Sequence, residues 1–221
     1  DAYNRIVKGD ADIIFVAQPS GRQKKRAEES GVTLLYTPFA REAFVFIVNA
    51  DNPVNSLTEQ QVRDIFSGAI TNWRTVGGND QEIQTWQRPE DSGSQTVMQS
   101  QVMKNVRMIS PQETEVASMM EGMIKVVAEY RNTNNAIGYT FRYYATQMNA
   151  DKNIKLLAIN GIAPTAENIR NGKYPYIVDA FMVTRENMTS ETQKLVEWFL
   201  TPQGQSLVED VGYVPMYKTL H

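Results

Sequence analysis

Arg88-Pro89-Glu90-Asp91-Ser92-Gly93-Ser94 is the stretch whose residue types and spacing can do chemistry. A short apolar segment delivers an arginine, a turn follows, and Ser-Gly-Ser opens a run of helical character. The first turn of a helix leaves N–H groups unpaired and carries the positive end of the dipole. Glycine lets the backbone come close to an anion, and serine hydroxyls add rotatable donors. Arg88 offers a planar, two-pronged fork to an oxyanion. Arg88, Ser92, Gly93 and Ser94 together describe a cradle for a tetrahedral oxyanion. Each part also has a plainer use: Ser92 can be no more than a helix N-cap, and an arginine four residues upstream can be solvated. Glu90 and Asp91 read as solvated turn residues, because carboxylates aimed into the cradle would repel the anion.

Other chemistries are excluded by what is missing. Neither a Gly-x-x-x-x-Gly-Lys-Ser loop nor a Gly-x-Ser-x-Gly elbow occurs around these serines. There are no cysteines, and the one histidine is His221, the last residue. Disulfides, thiolate or histidine metal sites, and cysteine- or histidine-based catalysis inside the fold are therefore out. Binding without bond chemistry is expected, with no enzyme activity, no metal and no cofactor. The net charge of −3 gives no general attraction for nucleic acid. An anion has to be held by local charge and backbone dipoles.

These residues need elements to hold them. With 221 residues, 42% of them hydrophobic, the chain can bury a core in one large domain or two small lobes. The apolar runs at 11–17, 32–36, 43–48, 83–87, 136–140 and 154–159 predict strands. Helices are expected at 1–9, 22–30, 58–66, 93–104, 115–131, 190–199 and 202–211. Thr58 with Gln61 forms a capping-box pattern, and Gly68 is a stop signal. The alternation of strands and helices argues for α/β layers with mostly parallel sheets, and the 11–17 run reads as a strand buried on both faces. No segment approaches the ~20 apolar residues of a membrane helix, and no signal peptide is visible. The opening Asp1-Ala2-Tyr3-Asn4-Arg5 reads as the middle of a helix, so a processed or truncated N-terminus is expected.

Gly9-Asp10-Ala11-Asp12-Ile13, Phe44 to Asn49, Asn52-Pro53-Val54, Leu57-Thr58, Ile65-Phe66-Ser67-Gly68 and Asn72-Trp73 follow one another in a distinctive order. Arg88 with Ser92-Gly93-Ser94, Ala136-Ile137-Gly138-Tyr139 and Tyr174-Pro175 complete the set. This pattern resembles the phosphate-binding proteins of high-affinity phosphate ABC transporters. The resemblance covers nearly the whole chain. It implies the periplasmic-binding-protein-like type II fold, two α/β lobes joined by two hinge crossovers that close on a ligand. Residues 43–178 would form one lobe, and residues 1–42 with 179–221 the other. It further implies a monomeric, extracytoplasmic solute-binding protein, periplasmic or anchored as a cell-surface lipoprotein. Such a protein captures phosphate or a related oxyanion and delivers it to a membrane ABC permease. Arg88 would be the charged clamp, and Ser92, Gly93 and Ser94 the hydroxyl and backbone donors.

The chain departs from the family at two places. The family's opening strand, Gly-Ser-(Ser/Thr) loop and helix have no counterpart, which implies an incomplete first lobe lacking about 50–70 residues. After the Asp12 strand the family carries serine with arginine or aspartate, whereas this chain has Ala17-Gln18. Gln18, placed at the ligand by the resemblance, is neutral and can donate or accept. Tyr139 either faces the ligand cleft or lies buried beneath its floor. Trp73 reads as a packing residue, Met119, Met120 and Met123 as core, and Lys24, Lys25 and Arg26 as one face of a surface helix. A non-catalytic sensory or adhesion module on the same fold is the alternative function.

Overall fold

The two apolar runs at 32–36 and 43–48 join into one long strand that passes straight through Pro38. The computed structural model describes residues 2–90, 92–111, 116–118, 120–129 and 134–220. In chain order the first elements are α1 (Ala2–Lys8), β1 (Ile13–Val16), α2 (Gly21–Glu29) and this strand, β2 (Leu34–Asn49). Next come β3 (Ser56–Leu57), α3 (Glu59–Ser67), a 3-10 turn (Trp73–Val76), β4 (Gln84–Thr85) and α4 (Gly93–Val97). A π-helical stretch (Met98–Met103) extends α4, followed by α5 (Met120–Glu129) and β5 (Ala136–Phe141). A second π-helical stretch (Tyr144–Met148) leads to β6 (Ile154–Leu156), β7 (Ala158–Ile159) and α6 (Ala166–Arg170). The chain finishes with β8 (Ile177–Arg185), α7 (Ser190–Phe199), α8 (Pro202–Asp210) and β9 (Val214–Pro215).

The chain divides into two compact units, Asp1–Glu42 with Val178–His221, and Ala43–Ile177. In the first, β1 pairs antiparallel with β8, β8 lies beside β2, and Ala40 and Arg41 of β2 pair antiparallel with β9. One apolar cluster gathers Tyr3 and Ile6 of α1 with Ile14 and Val183; another gathers Phe39, Ala40, Met182 and Val208. β1 is an edge strand and not the doubly buried one expected: Phe15 is 48% exposed, with one ring edge on Phe39 and another on Phe199.

In the second unit, residues 43–48 of β2 are wholly buried. Phe44–Val48 pair with β5 and Ile47–Asn49 with β6, both antiparallel to β2. β4 joins β5 in parallel, and β3 pairs with β7 in parallel. The ladders of the described residues are thus mainly antiparallel, where alternation of strand and helix suggested parallel.

Helix ends follow local chemistry. Thr58 and Gln61 close a capping box on α3, and Gly68 ends it at a φ of 83°. α5 lies directly on β5 because Gly138 has no side chain: a Cβ there would stand 2.3 Å from the Met123 sulfur. Met123 is core, as expected, while Met119 and Glu115 lie outside the described residues. Trp73 is a packing residue: it is 1% exposed, and its indole N–H donates to the Asn135 carbonyl at 2.9 Å.

Candidate functional site

The end of β4 sets the position of Arg88. Gln84 N–H donates to the Asn135 carbonyl at 3.0 Å, and Trp86 N–H to the Ile137 carbonyl at 2.9 Å. Two residues further on, Arg88 N–H donates not to a carbonyl but to the Tyr139 hydroxyl, at 3.1 Å. The flanking Gln87 fixes the segment at 116–117: its carbonyl accepts Ala117 N–H, and its side chain donates to the Ile109 carbonyl, each at 2.9 Å. Ala117 in turn gives its carbonyl to Arg88 Nη1.

Arg88 is therefore buried, at 9% exposure, and held by one arm. Its Nε–H is buried without a partner, and among the described residues no carboxylate pairs with the guanidinium. Burial pulls its pKa down, with Tyr139 and Tyr144 opposing the shift. A buried cation with an unused N–H is costly unless an anion arrives to meet it.

The turn after Arg88 closes with Ser92 N–H on the Pro89 carbonyl at 2.9 Å. Ser92 then caps α4: its hydroxyl accepts Gln95 N–H at 3.1 Å. Gly93 and Ser94 are the first two residues of that helix, so their N–H groups have no acceptor within it. Ser94 is 1% exposed, and its hydroxyl meets only Ser92 Oγ, at 3.4 Å, among the described residues. Helical backbone runs on through Met103, so this N-terminus heads three turns, α4 and the π-helical stretch together.

The second unit thus brings Arg88, Ser92, Gly93, Ser94 and Tyr139 into one local framework. Tyr139 does not line it. The ring is wholly buried against Phe44 and Phe66, and the hydroxyl is used twice, accepting from Arg88 N–H and donating to Gln95 Oε1. Of the two placements open in the sequence, burial is the one observed. Gln18 belongs to the other unit, half-buried on the loop between β1 and the α2 cap Ser20. Gln95 and Ala117 went unnoticed in the sequence. Gln95 carried a signal, standing three residues after an N-cap serine, but Ala117 carried none. Glu90 is exposed, and Asp91 lies outside the described residues.

Comparison with known proteins gives this framework a family. The phosphate-binding protein PstS of Bacillus subtilis is 29% identical over 170 residues, 76% of this chain and 53% of the relative. That of Borreliella burgdorferi is 26% identical over 184 residues, 80% of this chain and 64% of the relative. The chain spans between half and two-thirds of the length of these two relatives. Among solved structures, a Clostridium perfringens protein, assigned to phosphate ABC transport and solved with phosphate bound, superposes with a TM-score of 0.79. It is 24% identical, with 97% of this chain and 83% of that one covered. An ABC-type phosphate transport receptor from Vibrio cholerae gives 0.70 at 24% identity, covering 96% and 83%. These likenesses show a shared fold, and the family model for the PBP superfamily domain matches residues 1–203: the chain belongs to that family.

Proposed function

We propose that this chain is an extracytoplasmic solute-binding protein that captures phosphate, or a similar tetrahedral oxyanion, for ABC-type import. The observation that carries the proposal is Arg88: a buried guanidinium whose Nε–H has no partner and which has no carboxylate partner among the described residues, one turn before a serine-capped helix start. The names of the relatives support phosphate as the anion and a membrane permease as the partner. A role in binding alone is supported by the composition, since the chain has no cysteine and its one histidine is the last residue. No helix among the described residues is long and apolar enough to cross a membrane. Release outside the cytoplasm rests on the likeness to the phosphate-binding relatives.

Charge-assisted hydrogen bonds contribute about 1.5–3 kcal/mol each. Several of them, less the cost of ordering, give micromolar affinity, about −8 kcal/mol. Titration calorimetry of the full protein with inorganic phosphate tests this, with sulfate as the competitor. Phosphate at a hundredfold excess over Kd should add about 2.7 kcal/mol of stability. Neither heat nor a shift in Tm at millimolar phosphate would refute the proposal.

Gln18 is proposed as a weaker, neutral contact. A neutral hydrogen bond contributes about 1 kcal/mol, so Gln18→Ala should weaken phosphate binding about fivefold. An unchanged calorimetric Kd in that variant removes Gln18 from the site.

A further inference from the structure

Three helices of this chain begin with the same local signature, a serine or threonine N-cap followed three residues later by glutamine: Ser20 and Gln23, Thr58 and Gln61, Ser92 and Gln95. Two of them close as capping boxes. Gln23 accepts the Ser20 N–H at 2.9 Å, and Gln61 accepts the Thr58 N–H at 2.8 Å. The third does not. The Ser92 N–H goes to Pro89 instead, and the Gln95 side chain turns inward. Its Oε1 accepts the Tyr139 hydroxyl, and its amide nitrogen stands 3.9 Å from the Met108 sulfur. A glutamine that forgoes a local bond available to it at two other helix starts is being held by something else.

What holds it is Tyr139, which also replaces a rung of the β4–β5 ladder. The rungs step from Gln84 to Trp86 on backbone carbonyls, and the next, at Arg88, is the tyrosine hydroxyl. We infer that Tyr139 and Gln95 are positioning residues, a buried two-bond relay that keeps the Arg88 end of the strand in register with the Ser92 end of the helix. The inference rests on the reading of Arg88 as the anion's clamp and adds how that clamp is kept in place. The relay has a fixed direction. The hydroxyl oxygen accepts the Arg88 backbone N–H and donates to the Gln95 side-chain Oε1, and the Gln95 backbone N–H donates to Ser92 Oγ. Desolvation pushes the Tyr139 pKa far up, so the hydroxyl keeps its proton throughout the working range. Neither residue touches the anion in this arrangement. Each acts through the backbone of a residue proposed to touch it.

The test compares inorganic phosphate affinity, by calorimetry, with Tm and near-ultraviolet circular dichroism in the full protein. Tyr139→Phe and Gln95→Leu should each stay folded and each weaken phosphate binding about tenfold. Because both break one relay, the double variant should lose no more than either alone. Gln61→Leu, which opens the α3 capping box, should lower Tm while leaving affinity unchanged. Should Tyr139→Phe not fold, Gln95→Leu decides alone. Folded single variants that bind phosphate as the parent does, or losses that multiply in the double variant, overturn the inference. Arg88→Ala in the same series separates the two levels. If it binds phosphate normally, the clamp reading falls and the relay with it. If it loses binding while the relay variants do not, the relay alone falls.

Discussion

Arg88→Ala should weaken phosphate binding about a thousandfold, while Arg88→Met should leave the phosphate-free protein at least as stable as the parent. Both expectations come from one arrangement. The guanidinium is largely buried, one arm is spent on the Ala117 carbonyl, and the Nε–H has no partner among the described residues. Removing a buried, charge-assisted partner from a complex costs about 2–5 kcal/mol, and about 4 kcal/mol is a thousandfold. Without the anion the same group is a liability, since a buried charge lacking a counter-charge destabilises the fold. Methionine has similar length, no charge and no unmet donor. Denaturant unfolding without phosphate should show Arg88→Met equal to or above the parent, and saturating phosphate should reverse the order. Arg88→Lys keeps the charge and loses the fork, so its affinity should fall between the parent and Arg88→Ala. An Arg88→Ala protein that binds phosphate with the parent's Kd would remove the anion from this part of the molecule.

The boundaries of α3 and the start of α8 were legible because their causes are local, whereas α6 was not expected. Thr58 with Gln61, Gly68, and Thr201 before Pro202 each act over four residues or fewer, and the structure places helix ends at all of them. Strand direction was not legible. The partners of β2, at 137–141 and 154–156, lie about a hundred residues away, and no periodicity within residues 43–48 records which way they run. For the same reason the runs at 32–36 and 43–48 read as two strands although β2 is continuous from Leu34 to Asn49. The candidate site divides along the same line. The residue types of Arg88, Ser92, Gly93 and Ser94 stand together in one short stretch. The bonds that hold them reach Ala117 and Tyr139, 29 and 51 residues along the chain, and nothing near those two residues points back to Arg88. Tyr139 shows the cost of this: its place on a strand was readable, but the double use of its hydroxyl depends on where Gln95 faces.

The second large effect lies far from these residues in sequence, at the corner between α7 and α8. Gly204 stands in the first turn of α8, where low helix propensity makes glycine a poor choice on local grounds. The tertiary reason is contact. A Cβ at 204 would stand 2.3 Å from the Trp198 carbonyl oxygen and 2.6 Å from the Phe199 Cα. Both are backbone atoms at the end of α7, pinned by the Thr201 hydroxyl on the Trp198 carbonyl at 2.6 Å and by Gln205 Nε2 on the Phe199 carbonyl at 2.8 Å. No side chain can rotate aside to make room, so the helices must separate. Gly204→Ala should therefore destabilise by about 3 kcal/mol and lower Tm by about 6–12 °C. Gly122 supplies the matched control: it lies within α5, and a Cβ there meets nothing within 4 Å. Gly122→Ala should raise stability by about 0.4–1 kcal/mol through helix propensity and a less flexible unfolded chain. The two variants carry the same added methyl group, so opposite signs in denaturant unfolding isolate the close approach at the corner as the cause. A Gly204→Ala protein as stable as the parent would mean that α7 and α8 do not approach this closely.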